Sequence, residues 1–133
     1  MEEALRDLLL TAAPITALIQ RRADWGVRAQ GSPLPAITLH QISGGVDMHM
    51  RGATGWNEDL VQLDCWGADF LAARNLANLI AGPGGLLVGY RGTHQGVQLR
   101  TLISGRRSDS DTDSKGPVHR TMIDAIVWHR RVA

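Results

Sequence analysis

Apolar residues recur at helical spacing over residues 2–12, where Leu5, Leu8 and Leu9 share one face. Glu2 and Glu3 stand at the end where the helix dipole favours negative charge. Pro14 closes that helix. It can open a second over about residues 14–22, because a proline at the first helical position gives up no needed hydrogen bond. That helix turns Ile15, Leu18 and Ile19 inward. Residues 24–35 carry repeated glycine and proline and read as a loop.

The pattern then changes to alternation, the mark of half-buried strands. Residues 37–43 set Ile37 and Leu39 against Thr38 and His40, until Gly44-Gly45 breaks the run. Residues 59–66 place Val61, Leu63 and Cys65 on one face and Leu60, Gln62, Asp64 and Trp66 on the other. Residues 97–103 point Val97, Leu99, Thr101 and Ile103 one way. The last run, about 118–130, is apolar on both faces: Ile123, Ala125 and Val127 on one, Met122, Ile126 and Trp128 on the other. Such a strand needs cover on both sides. Between the pairs, Phe70, Ala73, Ala77 and Ile80, flanked by Leu76 and Leu79, predict a helix over 68–81 that stops at Gly82-Pro83.

The order α-α-β-β-α-β-β predicts an α+β fold, a mainly antiparallel four-stranded sheet with helices packed on one face. No repeat or linker divides the chain, so residues 1–133 read as one domain. Residues 44–57 and 104–117 fall outside the core pattern and are expected as hairpin tips projecting from the body.

Composition narrows the function classes. With 44% hydrophobic and 20% charged residues the chain is an ordinary globular protein. Fourteen Lys+Arg against thirteen Asp+Glu leave +1, too little to draw nucleic acid or an anionic membrane by field alone. Lysine occurs once, as Lys115. The acidic start Met1-Glu2-Glu3 does not fit a secretory signal, and the longest apolar tract, residues 8–19, is short and broken by Pro14. A soluble protein that stays where it is made is expected.

Candidate chemistry dissolves on inspection. Asp109, Asp111 and Asp113 alternate like the opening of a calcium loop, but Ser114 stands where the sharp turn needs glycine and Arg120 where a bidentate glutamate belongs. His40, His49, His94, His119 and His129 are scattered without ligand spacing. Cys65, the lone cysteine, excludes an intrachain disulfide and sits mid-strand as a small buried hydrophobe with an inert thiol. No nucleophile elbow, phosphate-cradling loop or dinucleotide fingerprint occurs. No catalytic residue, metal or cofactor is therefore expected. What stands out instead is surplus apolar surface: Met48, Met50, Trp56, Trp66 and Trp128, more than one helix layer can cover, which marks a subunit or partner interface. Arg51, Arg106 and Arg107 on the projecting segments are candidates for sequence-blind phosphate contacts, with solvated surface charge the plainer reading.

Three stretches taken together carry a resemblance: Pro14-Ile15-Thr16-Ala17-Leu18-Ile19; Leu34-Pro35-Ala36-Ile37-Thr38 through Ile42-Ser43-Gly44; and Val61-Gln62-Leu63-Asp64-Cys65-Trp66 running into the alanine-rich helix. In this order, ending on the strand through Asp124 and Trp128, they resemble the small tail-completion family of tailed bacteriophages. That family is similar to tail terminator proteins and also occurs in prophages and gene transfer agents. The resemblance implies a structural subunit of a six-membered ring that caps the tail tube, ends its polymerisation and docks on the head connector or stopper, with DNA passing through its lumen. The implied partners are a second copy, the tail tube protein and the head connector, with no membrane. The implied location is the host cytoplasm during assembly, then the particle tail at the head–tail junction. The alternative is a capsid-side head–tail connector component. A nucleic-acid-binding regulator is disfavoured by the near-zero charge and the lack of a recognition helix.

Overall fold

The computed structural model describes residues 1–28, 33–49, 52–113 and 116–131, without the side chains of 45–49, 52–54, 111 and 113. Helix α1 (Glu2–Thr11) buries Ala4, Leu5, Leu8 and Leu9, and α2 (Ala13–Ile19), with Pro14 in its first turn, buries Ile15 and Ile19. Leu18 is left exposed, against expectation, because a seven-residue helix offers the core only a narrow stripe. A short strand follows, β1 (Ala23–Trp25), then β2 (Ala36–His49) and β3 (Gly52–Gly67).

Helix α3 (Phe70–Ala81) starts on Asp69, whose carboxylate accepts the Ala72 N–H at 2.8 Å and satisfies one orphan donor of the first turn. Its buried face is Ala73, Leu76, Ala77 and Ile80. Phe70, expected on that face, is 49% exposed: it precedes Ala73, the first residue to reach the sheet. Three strands complete the chain, β4 (Arg91–His94), β5 (Val97–Asp113) and β6 (Gly116–Arg131).

The expected four strands are six, in the order β1-β2-β3-β6-β5-β4. The two additions are the edges. β1 pairs in parallel with β2 through Ala23–Ile37, Asp24–Thr38 and Trp25–Leu39, inside the segment expected as a loop. β4 pairs antiparallel with β5 through Arg91–Arg100 to His94–Val97. The other ladders are antiparallel. The segments 44–57 and 104–117 also differ from loops. As far as the described residues reach, they continue the pairing of β2 with β3, to His49–Gly52, and of β5 with β6, to Asp113–Gly116.

All three helices pack on one sheet face, over Ile37, Leu39, Val61, Leu63, Cys65, Leu99, Ile123, Ala125 and Val127. The sheet curls around them. Arg6 and Asp7 are neighbours on α1, yet Arg6 Nε donates to the Ala23 carbonyl on one edge strand at 2.6 Å, while Asp7 meets His94 on the other at 3.1 Å. In a flat six-stranded sheet those edges would lie roughly 24 Å apart. At the far end of β3 a Cβ on Gly67 would fall 2.5 Å from the Ala73 nitrogen, so only glycine lets the strand pass under the start of α3. Burial of the helix-side face leaves the opposite face of the sheet without a covering layer among the described residues.

Candidate functional site

The uncovered face is built from alternate residues of β2, β3, β6 and β5, and its register can be read row by row. Leu60, Ile126 and Leu102 form one cross-strand row, with Trp128 and Arg100 paired in the next and Asp64 and Met122 paired two rows away. Leu102 is 49% exposed, and Ile42, the extra residue of a bulge in β2, is 53% exposed. Leu60, Ile126, Met122 and Trp128 are half-buried. The face is therefore an apolar centre open to solvent.

One end of it is ionic. Asp64 is buried and accepts from Gln62 Nε2 at 2.8 Å, with His40 Nε2 and Arg120 Nη1 each at 3.5 Å. Arg120 reaches on to Asp109 at 3.0 Å through Nη2, and its Nε is buried with no hydrogen-bond partner. The hydrogen bond from Arg120, helped by the Ser110 N–H, holds the Asp109 carboxyl below the usual carboxylate range. The guanidiniums of Arg120 and Arg28 lie 5.2 and 5.3 Å from the Trp66 ring, whose Nε1 donates to Thr38 Oγ1 at 3.0 Å. Arg28, Thr38, His40, Asp64, Trp66 and Arg120 line a cleft of about 320 Å³.

The other end is aromatic and cationic. Arg100 and Arg130 stack on Trp56, 4.7 and 4.8 Å from its centre. Trp56, Trp128, Tyr90, Arg100 and Leu102 line a second cleft, of about 480 Å³.

Of the expected interface residues, the structure brings Trp56 and Trp128 together on this end. Trp66 shares their face but stands ten strand residues from Trp56 (66 − 56), roughly 33 Å away. Met48 lies in β2 opposite Ala53, with its side chain outside the described set, and Met50 and Arg51 lie outside the described residues altogether. Arg106 and Arg107, grouped by the sequence, point to opposite faces as strand neighbours do, and the bulge between Ile103 and Gly105 sets which of them faces the helices. Arg106 turns to the helix side, toward the Arg74 carbonyl at 3.5 Å, while Arg107 joins Asp124 at 2.6 Å and Gln62 at 3.2 Å on the uncovered face. Arg107 is thus engaged within the chain.

The histidines pair off separately: His40 with Asp64, His94 with Asp7 and Tyr90, and His129 with Asp59 at 2.6 Å. Among the described residues no three His, Cys, Asp or Glu side chains converge on a metal position. Cys65 lies on the helix-side face, fully buried, and burial pushes its thiol far above the ordinary range. Among the described residues no helix is long and apolar enough to cross a membrane. The sequence pattern did not expose Leu60, Leu102, Arg100 and Arg130 as one surface. Their alternation was visible, but the strand register that joins them was not.

No protein-family model matches the chain, and no curated protein matches it. A chain from the virion of a native gene transfer agent particle has the same fold: the TM-score is 0.66 over 97% of this chain and 93% of that one, at 17% sequence identity.

Proposed function

We propose that this chain is a structural subunit of a phage-like particle, assembling into a ring that caps the tail tube, ends its growth and joins the tail to the head connector. The observation that carries the reading is the near end-to-end likeness to a chain of a gene transfer agent virion, since it spans both chains rather than a shared core. The uncovered, apolar sheet face supports it independently. Leu102 and Ile42 stand in water with an apolar row between strands behind them, and surface of that kind in a soluble fold is what subunit contacts bury. The same reading gives the chain no catalytic role. At the ionic end of the uncovered face the carboxylates are engaged with neighbouring side chains, as in the Asp64–Arg120–Asp109 chain.

Inactivating the gene in cells that make the particle tests this reading. Overlong tubes without heads are the expected result. Tails of normal length that fail to attach would move the subunit to the capsid side as a connector component. Unchanged, head-bearing particles would sink both.

A further inference from the structure

At one end of the uncovered face arginines gather around Trp56 and Trp128, with Glu58 in the row of Trp128 and Arg100 but in no ion pair with them among the described residues. Arg91 and Arg100 are direct cross-strand partners, a like-charge pairing that costs stability. Arg130 shares the Trp56 ring with Arg100, and Arg131, next along β6, turns to the helix-side face opposite Val97. All four are exposed. Among the described residues Arg107 and Arg120 form ion pairs, whereas none is found for these four.

Opposite charge is concentrated at the other end of the same strand pair, where Asp109 is held by Arg120 at 3.0 Å. The far end of β5 carries Asp109, Asp111 and Asp113, in register with Arg120, Val118 and Gly116. Position 111 is eleven strand residues from position 100 (111 − 100), roughly 36 Å along an extended chain. β5 is paired to β6 over that whole length, so it cannot fold back. The bulge at Ile103/Gly105 resets this half so that Asp109 meets Arg120 on the uncovered face, the same face that bears Arg100 and Arg130.

We propose that copies join head to tail, with the aspartate end of the β5–β6 hairpin of one copy seated on the Arg100–Arg130–Trp56 end of the next. This names the subunit contact of the ring under Proposed function and rests on that reading. Unlike patches at opposite ends make a heterologous interface, which closes into a ring when the rotation per copy closes. A guanidinium stacked on an indole can still present its N–H edge to a carboxylate, and Arg130, whose Nε donates to Gln98 Oε1, has its Nη groups to offer. A nucleic-acid phosphate backbone fits less well, because the chain carries only +1 overall and offers little long-range attraction to it.

Two charge-reversed variants test the contact, Arg100→Glu/Arg130→Glu and Asp111→Arg/Asp113→Arg, followed by light scattering across a concentration series, with melting curves as the folding control. Each variant alone should assemble only at concentrations at least about tenfold above wild type. Mixed one to one they should assemble again, because an acidic end then meets a basic end at every contact. Wild-type assembly by either variant alone overturns this contact and leaves the ring standing. Intact rings that have lost affinity for duplex DNA would make phosphate the occupant and overturn it as well. A wild type that stays monomeric in solution and in assembled particles removes the ring reading itself, and this contact with it.

Discussion

Asp7 and His94 meet at 3.1 Å, 87 residues apart in sequence, and their contact ties α1 to the β4 edge of the curled sheet. A carboxylate only accepts, so Nδ1 donates to Asp7, and in the neutral ring Nε2 is left to accept from the Tyr90 hydroxyl at 2.9 Å. Partial burial pushes the Tyr90 hydroxyl up, which keeps it a donor. In a double-mutant cycle of Asp7→Ala and His94→Ala, chemical denaturation should give a coupling of about 0.5–1 kcal/mol, modest because Asp7 is partly exposed. Strict additivity would mean that Arg6 and the apolar core hold the curl unaided.

Cys65 gives a pH-dependent prediction. Burial raises its folded pKa, so the thiol stays neutral in the native state while the unfolded thiol ionises near about pH 8.5. Its contribution is complete below that pH and shrinks as pH rises above it, because ionisation then favours the unfolded chain. Stability should fall between about pH 8 and 10 more steeply for wild type than for Cys65→Ala, which itself costs on the order of 1 kcal/mol at neutral pH. A thiol reagent should label the protein only in denaturant, and stoichiometric native labelling would contradict the assignment.

Gly67→Ala should destabilise by about 1–3 kcal/mol, since the new methyl meets the Ala73 and Ala72 backbone rather than a movable side chain. Thermal melting measures this directly. A cost below a few tenths would show that α3 can slide away from β3 freely.

Leu102→Asp separates folding from assembly. Leu102 is half exposed, so the monomer should change by less than about 0.5 kcal/mol, while association weakens because a charge enters the apolar centre of the uncovered face. Leu63→Ala on the buried face should instead cost about 2–5 kcal/mol. If Leu102→Asp assembles like wild type, the contact lies elsewhere than on this face.

The sequence by itself determined the helices and the four long strands, because each carries enough apolar residues at one period to bury a face. Leu5, Leu8 and Leu9, and Ile123, Ala125 and Val127, lie in the core as their spacing requires. The edge strands were illegible for the complementary reason. Ala23-Asp24-Trp25 alternates over only three residues, Arg91-Gly92-Thr93-His94 has no apolar alternation, and both exist because a neighbouring ladder and α1 hold them. The candidate site divided in the same way. Trp56 and Trp128 were visible as surplus apolar residues, but the register that sets Arg100 and Arg130 on Trp56 joins distant segments. The sequence put Arg106 and Arg107 side by side. Strand alternation sends such neighbours to opposite faces, and one extra residue in the β5 ladder before them decided which of the two turned to the helices, a choice made by pairing with β6 and written nowhere in local spacing.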